Sequence, residues 1–262
     1  MARIRLDILL HQRGLFESRA RAAASVLAGE VLLPGRLRAA KPGQLVDEAI
    51  AVDVIREREY VSRGGFKLAN ALDRFGLDVT GVRALDVGAS TGGFTDCLLQ
   101  RGAAAVTALD VAYGELSWRL REDPRVTVIE RRNARTLVAA ELPYRPNLVV
   151  IDVSFISLTK VLPAVLSCVA PEFDCLAMIK PQFEVGRERV GKGGVVREAG
   201  ARRDALVKIG EFAQAAGAAV GGYASSGLPG PKGNRESFIW LYASGHGSGT
   251  ADIAAAAREV EP

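Results

Sequence analysis

The chain has 262 residues, enough for one large domain or a large and a small one at roughly 150 residues per domain. Apolar residues make up 48% and charged residues 24%, a globular composition that excludes extensive disorder, collagen-like repeats and long coiled coils. Lys and Arg number 34 against 30 Asp and Glu, a net charge of +4, which permits a polyanionic partner without requiring one.

Residues 1–58 carry ten basic and seven acidic side chains, so +3 of the total charge sits in this short stretch. Leu6, Leu9 and Leu10 form a helical stripe that Gly14 can stop, and Ser18 can cap a second helix running to about Ala28, with Ala22, Val26 and Leu27 inward. Val31-Leu-Leu-Pro-Gly offers a short strand and turn, Lys41-Pro-Gly a second turn, and Ala49 to Ile55 an alternating strand. Residues 56–63 are charged and lack an apolar period, which suits a connector; we place the linker itself at 59–63.

From Val61 the character changes. Val82 to Gly88, Ala105 to Val111 and Val126 to Glu130 read as strands separated by helices over Gly92–Arg101 and Glu115–Arg121. Further strands are expected at Asn147–Val153, Cys175–Lys180, Ala218–Ser225 and Ser237–Tyr242, with helices near Ser157–Val169 and Ala199–Ala216. This alternation predicts an α/β fold with a doubly wound, Rossmann-like sheet over 64–243, its ligands outside the carboxyl ends of the strands. The tail, 244–262, is Gly/Ser-rich and then Ala-rich, and reads as flexible, ending in a short helix.

No stretch reaches the roughly 18 apolar residues of a membrane span, and the start lacks a secretory apolar region, so a cytoplasmic location is expected. Cys97, Cys168 and Cys175 form no CxxC pair and read as buried small apolar residues. His11 and His246 have no partners at metal-ligand spacing, and no metal site is expected.

Asp86-Val-Gly88-Ala-Ser90-Thr-Gly92-Gly93-Phe94 follows the first strong strand and opens a helix. Its glycines allow a ligand close to the backbone, next to unpaired N–H groups at a helix start. The absence of a following Gly-Lys-Ser/Thr excludes a P-loop, and the spacing does not fit GxGxxG. Four polar residues stand at element boundaries: Lys67 before the sheet, Asp152 and Lys180 at strand ends, and Glu236 at the start of the last strand.

Arg5-Leu-Asp, Gly14-Leu, Ser18-Arg19, Gly29-x-Val31, Gly35 and Lys41-Pro42 resemble the S4 RNA-binding domain over residues 3–55. The resemblance implies that Arg3, Arg5, Ser18, Arg19, Arg36 and Lys41 meet RNA phosphates; otherwise they make up a solvated basic face. The glycine turn resembles the DxGxxxGG turn of S-adenosylmethionine-dependent methyltransferases. That implies S-adenosylmethionine held by Asp86, Gly88, Ser90, Gly92, Phe94 and Asp152, with Asp110 toward the ribose hydroxyls. Asn133 is either a contact to the adenine edge or an ordinary turn residue. Lys67, Asp152, Lys180 and Glu236 match in order the tetrad of FtsJ-like ribose 2′-O-methyltransferases.

Together with Val61-Ser-Arg-Gly-Gly-Phe-Lys67, Asp152-Val-Ser-Phe-Ile-Ser157, Lys180-Pro-Gln-Phe-Glu-Val-Gly186 and Gly230-Pro-Lys-Gly-Asn-Arg-Glu236, the chain resembles the TlyA family over residues 3–243. This family is described as methylating cytidine ribose in 16S and 23S rRNA and has carried the label hemolysin. The implied partners are ribosomal RNA or ribosomal subunits.

A ribose hydroxyl attacks only as its proton leaves, and a lysine accepts that proton only when neutral. A second ammonium at Lys67, a sulfonium and partial burial favour neutral Lys180, while Asp152 and Glu236 oppose it and orient the amines. A set of surface salt bridges is the plain alternative. Phe155 can stack on an extruded base or belong to the core, and Arg187, Arg189 and Lys192 in the Gly-rich stretch 186–194 suit a mobile loop that grips RNA. Two rival functions stand beside the enzyme: a membrane-lytic hemolysin, and a non-catalytic RNA-binding protein on a methyltransferase fold.

Overall fold

The computed structural model describes residues 3–27, 29–54, 59–230, 232–245, 249–250 and 252–261. The side chains of Arg36 and Arg38, together with Arg56, Arg58 and His246, lie outside the described residues. The chain divides into two compact units, Met1–Glu59 and Tyr60–Pro262.

In the first unit β1 (Arg3–Arg5) leads into α1 (Leu6–Gln12), followed by α2 (Arg19–Leu27), β2 (Val31–Leu33), β3 (Leu37–Arg38), β4 (Leu45–Asp47) and β5 (Asp53–Val54). Strands β1 and β4 pair antiparallel, and β3, β2 and β5 form a second small sheet. Leu6, Leu9 and Leu10 pack with Ala22, Val26, Val31 and Val46. The Ser18 hydroxyl accepts the Arg21 N–H at the start of α2. Leu27 was expected inward but is 74% exposed, because the helical turn that buries Val26 rotates its neighbour to solvent. The strand expected from Ala49 is reduced to β5, and the pairing of β1 with β4 was not anticipated because neither three-residue strand carries a readable alternation.

The larger unit begins with α3 (Arg63–Phe75), then β6 (Arg83–Val87), α4 (Gly93–Gln100), β7 (Ala105–Leu109), α5 (Trp118–Arg121) and β8 (Val126–Ile129). It continues with β9 (Leu148–Ile151), α6 (Leu162–Leu166), β10 (Asp174–Ile179), α7 (Pro181–Glu184), α8 (Ala199–Ala215), β11 (Ala218–Ser225), β12 (Ser237–Ala243) and α9 (Ile253–Val260). The seven-stranded sheet has the order β11-β12-β10-β9-β6-β7-β8. Strand β12 runs antiparallel to both neighbours, while the pairs from β10 to β8 are parallel.

Alternate residues feed two cores, as the two-residue period of a strand requires. Val149, Ile151, Cys175, Ala177 and Ile179 face α6, α8 and α9. Leu148, Val150, Leu176 and Met178 face α3 and α4. This is a doubly wound α/β sheet covered on both faces. All three cysteines are buried and unbridged, and burial pushes the Cys97 thiol up to about 11.

Two expected boundaries shift. Tyr60 is buried in the larger unit, the Val61 N–H donates to Asp96, and Ser62 caps α3, so residues 60–63 belong to the unit that the linker was expected to precede. The tail is anchored through α9, whose Ile253 and Ala257 enter the core, and Glu261 forms a buried ion pair with Arg202. The short helix expected at the end of the tail is present, but the tail is not loose there: the Ala-rich composition concealed the anchoring because the few apolar contacts are spread one per turn.

Candidate active site

The reversal of β12 gathers the polar groups. Ile179 pairs with Ser237, Ala177 with Ile151, and Val87 with Ile151, so the residues next in line (Lys180, Glu236, Asp152 and Gly88) leave the sheet at one edge. The Asp152 N–H donates to the Val87 carbonyl at 2.9 Å, holding the end of β9 against the glycine turn.

Lys67 reaches this edge from α3. Arg63, Lys67 and Asn70 stand at i, i+4 and i+7, one face of the helix, and all three meet the segment that leads into β12. The Arg63 guanidinium donates to the Pro229 carbonyl at 2.6 Å and the Asn70 amide to the Ser226 carbonyl at 3.2 Å. Between them the Lys67 ammonium forms a buried ion pair with Glu236. A second ion pair, Lys180 Nζ to Asp152 Oδ1 at 2.5 Å, lies at the ends of adjacent strands. Lys180 also donates to the Ser154 hydroxyl at 2.8 Å. The structure therefore resolves the four residues into two lysine–carboxylate pairs, a partition that their order in the chain does not reveal.

Glu184 fastens the lysine side of the site. Its buried carboxylate accepts from the Ser157 hydroxyl at 2.5 Å and the Leu158 N–H at 2.7 Å, and Lys208 lies 3.4 Å away. This ties the segment after Asp152 to α7, which starts directly after Lys180. Neither Ser154 nor Glu184 was singled out in the sequence, although both lie inside the motifs quoted for the family resemblance.

At the glycine turn, Gly88 has φ +83°, and a Cβ there would stand 2.4 Å from the Asp152 carbonyl oxygen. Glycine is thus demanded by the turn and by the close approach of β9. Asp86 is fully buried: one carboxylate oxygen accepts the Thr95 N–H and hydroxyl, and the other has no hydrogen-bond partner. Burial pushes the Asp86 carboxyl up to about 7, and the charges of Asp152 and Asp110 act in the same direction against the Thr95 hydrogen bonds. Asp110, just past β7, accepts the N–H groups of Ser90 and Ala112, both at 2.8 Å. Ser90 has φ +46°, Gly92 opens α4 at φ +93°, and the Ser90 hydroxyl donates to Glu115.

Two expected cofactor residues have other partners. Phe94 is buried against Phe238, with ring centroids 5.8 Å apart, because the first turn of α4 faces the core. The exposed Asn133 caps a short 3-10 turn by accepting the Arg135 N–H at 3.0 Å.

Phe155 is 92% exposed at φ +63°, with its ring 5.3 Å from Phe183. Arg187, Arg189 and Lys192 are exposed, and Arg189 pairs with Asp204 at 2.7 Å. In the first unit Arg3, Ser18 and Lys41 are exposed, while Arg5 and Arg19 converge at 3.0 and 3.3 Å on the buried Asp7. The Arg5 and Arg19 guanidiniums hold the Asp7 carboxyl down to about 2. No group of three or more metal-ligating side chains occurs among the described residues.

A family model of FtsJ-like methyltransferases matches residues 60–243. The chain is 49% identical over 241 residues to the 16S/23S rRNA (cytidine-2′-O)-methyltransferase TlyA of Mycobacterium tuberculosis, covering 91% of this chain and 90% of that one. It is 41% identical to Hemolysin A of Brachyspira hyodysenteriae over 74% of this chain and 81% of that one. A solved structure of a hemolysin-named protein from Streptococcus thermophilus matches at a TM-score of 0.74 and 38% identity, covering 99% of this chain and 96% of that one. With 184 residues matched by the model and a relative at this identity along nearly its whole length, the chain belongs to the FtsJ-like methyltransferase family.

Proposed function

We propose that the protein transfers a methyl group from S-adenosylmethionine to the ribose 2′-hydroxyl of cytidine in 16S or 23S ribosomal RNA, or in both. The observation that carries this reading is the meeting of two lysine–carboxylate pairs beside the Asp86–Gly93 turn. The cofactor, when bound, supplies the methyl group on a positively charged sulfur. A cation suits this edge, where Asp86, Asp110 and Asp152 stand at neighbouring strand ends and one Asp86 oxygen lacks a partner.

Lys180, once its own proton has been lost to solvent, is the proton acceptor in this scheme. Ser154 and Asp152 hold its amine in place, and the proton of the ribose hydroxyl passes to Nζ as the oxygen attacks. The buried Lys67–Glu236 pair fixes the far wall and keeps the second ammonium oriented. Alignment of the nucleophile supplies much of the acceleration. Asp110 has acceptor capacity left for ribose hydroxyls, since each carboxylate oxygen accepts one backbone N–H. Residues 1–58 act as an S4-like RNA-anchoring module through Arg3, Arg5, Ser18, Arg19, Arg36 and Lys41, and exposed Phe155 stacks on the target base.

A membrane-lytic role gains nothing from the fold: no helix among the described residues is long and apolar enough to cross a membrane. A non-catalytic RNA binder has no need of two lysines held in buried or half-buried ion pairs, which are expensive to maintain. The test is Lys180→Ala. It is expected to bind S-adenosylmethionine within about twofold of the parent while losing methyl transfer by roughly a thousandfold or more; undiminished transfer refutes the assignment.

A further inference from the structure

Asn234 is 3% exposed, two residues before Glu236, and its side chain hydrogen-bonds to backbone groups of Gly194 and Val196. Its amide nitrogen donates to the Gly194 carbonyl at 2.7 Å, and its amide oxygen accepts the Val196 N–H at 2.9 Å. Its backbone carbonyl accepts the Gly230 N–H at 2.9 Å, closing the turn that presents Glu236. Gly230 leaves room for that carboxylate, because a Cβ there would lie 2.5 Å from Glu236 Oε1.

The segment that Asn234 grips is the base of a small basic turn. Gly191 and Val195 form a bridge, Gly193 and Gly194 take positive φ, and Lys192 lies exposed between them, with Arg187 and Arg189 just before. On its far side Val196 is held through its carbonyl by Arg202, which is itself held by Glu261. The base of the turn is fixed from both sides, while its tip carries the exposed Lys192. One buried amide thus links the base of this turn to the backbone two residues before Glu236.

We propose that Asn234 is a positioning residue that couples seating of the RNA phosphates on Arg187, Arg189 and Lys192 to alignment of Glu236 against Lys67. This rests on the RNA methyltransferase reading above. It goes beyond that reading by naming how substrate binding reaches the catalytic pair.

The experiment measures single-turnover methyl transfer at saturating RNA and cofactor, with equilibrium dissociation constants for each. Asn234→Ala is expected to slow transfer at saturation by at least about tenfold while leaving cofactor affinity within about twofold. Arg187→Ala combined with Lys192→Ala is expected to slow transfer in the parent beyond its weakening of RNA binding. In the Asn234→Ala background the same pair should weaken RNA binding only, because the connection is already cut. Should Asn234→Ala fail to fold, Asn234→Asp keeps the acceptor for Val196, loses the donor to Gly194, and is expected to show the same loss at saturation. Transfer within twofold of the parent, or losses that multiply independently, overturns the proposal. If the parent methylates RNA and Lys180→Ala does not, such a result removes the coupling alone; an active Lys180→Ala removes the reading beneath it.

Discussion

Lys67 and Glu236 stand 169 residues apart and meet as an ion pair whose side chains are 7% and 1% exposed. Breaking a pair at this depth strands one charge in a medium that cannot solvate it. Glu236→Ala is expected to destabilise the fold by about 3–5 kcal/mol. Replacing both partners by apolar residues of similar volume, Lys67→Met with Glu236→Leu, removes the stranded charge and should recover most of that loss. The double variant should remain inactive. A double variant that folds and still methylates RNA would show that the pair is structural only.

Gly88 tests the turn. Gly88→Ala combines a left-handed φ with a Cβ 2.4 Å from a backbone oxygen that cannot swing away. The expected result is a loss of roughly 2 kcal/mol or more in unfolding free energy and at least about a tenfold rise in the dissociation constant for S-adenosylmethionine. Thermal unfolding and calorimetric titration check both values, and unchanged cofactor affinity would contradict the placement of the cofactor beside this turn.

Asp86 makes binding depend on pH. Its folded-state value, raised from 3.8 to about 7, means that the folded protein holds a proton that the unfolded chain has released. Stability of the ligand-free protein should therefore fall as pH rises from about 4 to about 7 and level off above. A cation bound at this edge offsets the repulsion from Asp152 and Asp110 and favours the carboxylate. Cofactor binding should thus release a proton near pH 7, read as a heat that depends on the ionisation enthalpy of the buffer. Asp86→Asn should abolish that dependence; a parent that binds without proton release contradicts the account.

Phe155 separates substrate binding from folding. At 92% exposure, its replacement by Asn, which tolerates the left-handed backbone, should change stability by less than about 0.5 kcal/mol. Loss of a stacked base should lower kcat/KM for RNA by about tenfold to a hundredfold. Equal kcat/KM in the two proteins would assign the ring to another role.

Much of the architecture was legible because it follows from local patterns. The strands of the sheet are short apolar runs bounded by turn residues, and the DxGxxxGG turn announces itself by spacing. Helix α3 escaped notice because its two glycines, Gly64 and Gly65, mask a helical period, although Arg63, Lys67 and Asn70 already share one face. The pairing of Lys67 with Glu236 depends on the direction of β12, and that of Lys180 with Asp152 on the adjacency of β9 and β10, neither of which periodicity encodes. Phe94 fits the turn motif and yet packs inward, since the rotation of α4 is set by the core around Phe238. Glu184, Asn234 and Glu261 were invisible for a common reason: a charged or amide side chain in a short helix, a loop or a helix end reads as solvent-facing until its partners are known.

One oxygen atom, the ribose 2′-hydroxyl of cytidine, is the expected methyl acceptor. Ribosomal RNA incubated with the protein and isotopically labelled S-adenosylmethionine, digested to nucleosides and resolved by mass spectrometry, reports where the label resides. The account predicts 2′-O-methylcytidine carrying the label in the parent reaction and none with Lys180→Ala. Label on a nucleobase, or on ribose with Lys180→Ala as readily as with the parent, would contradict it.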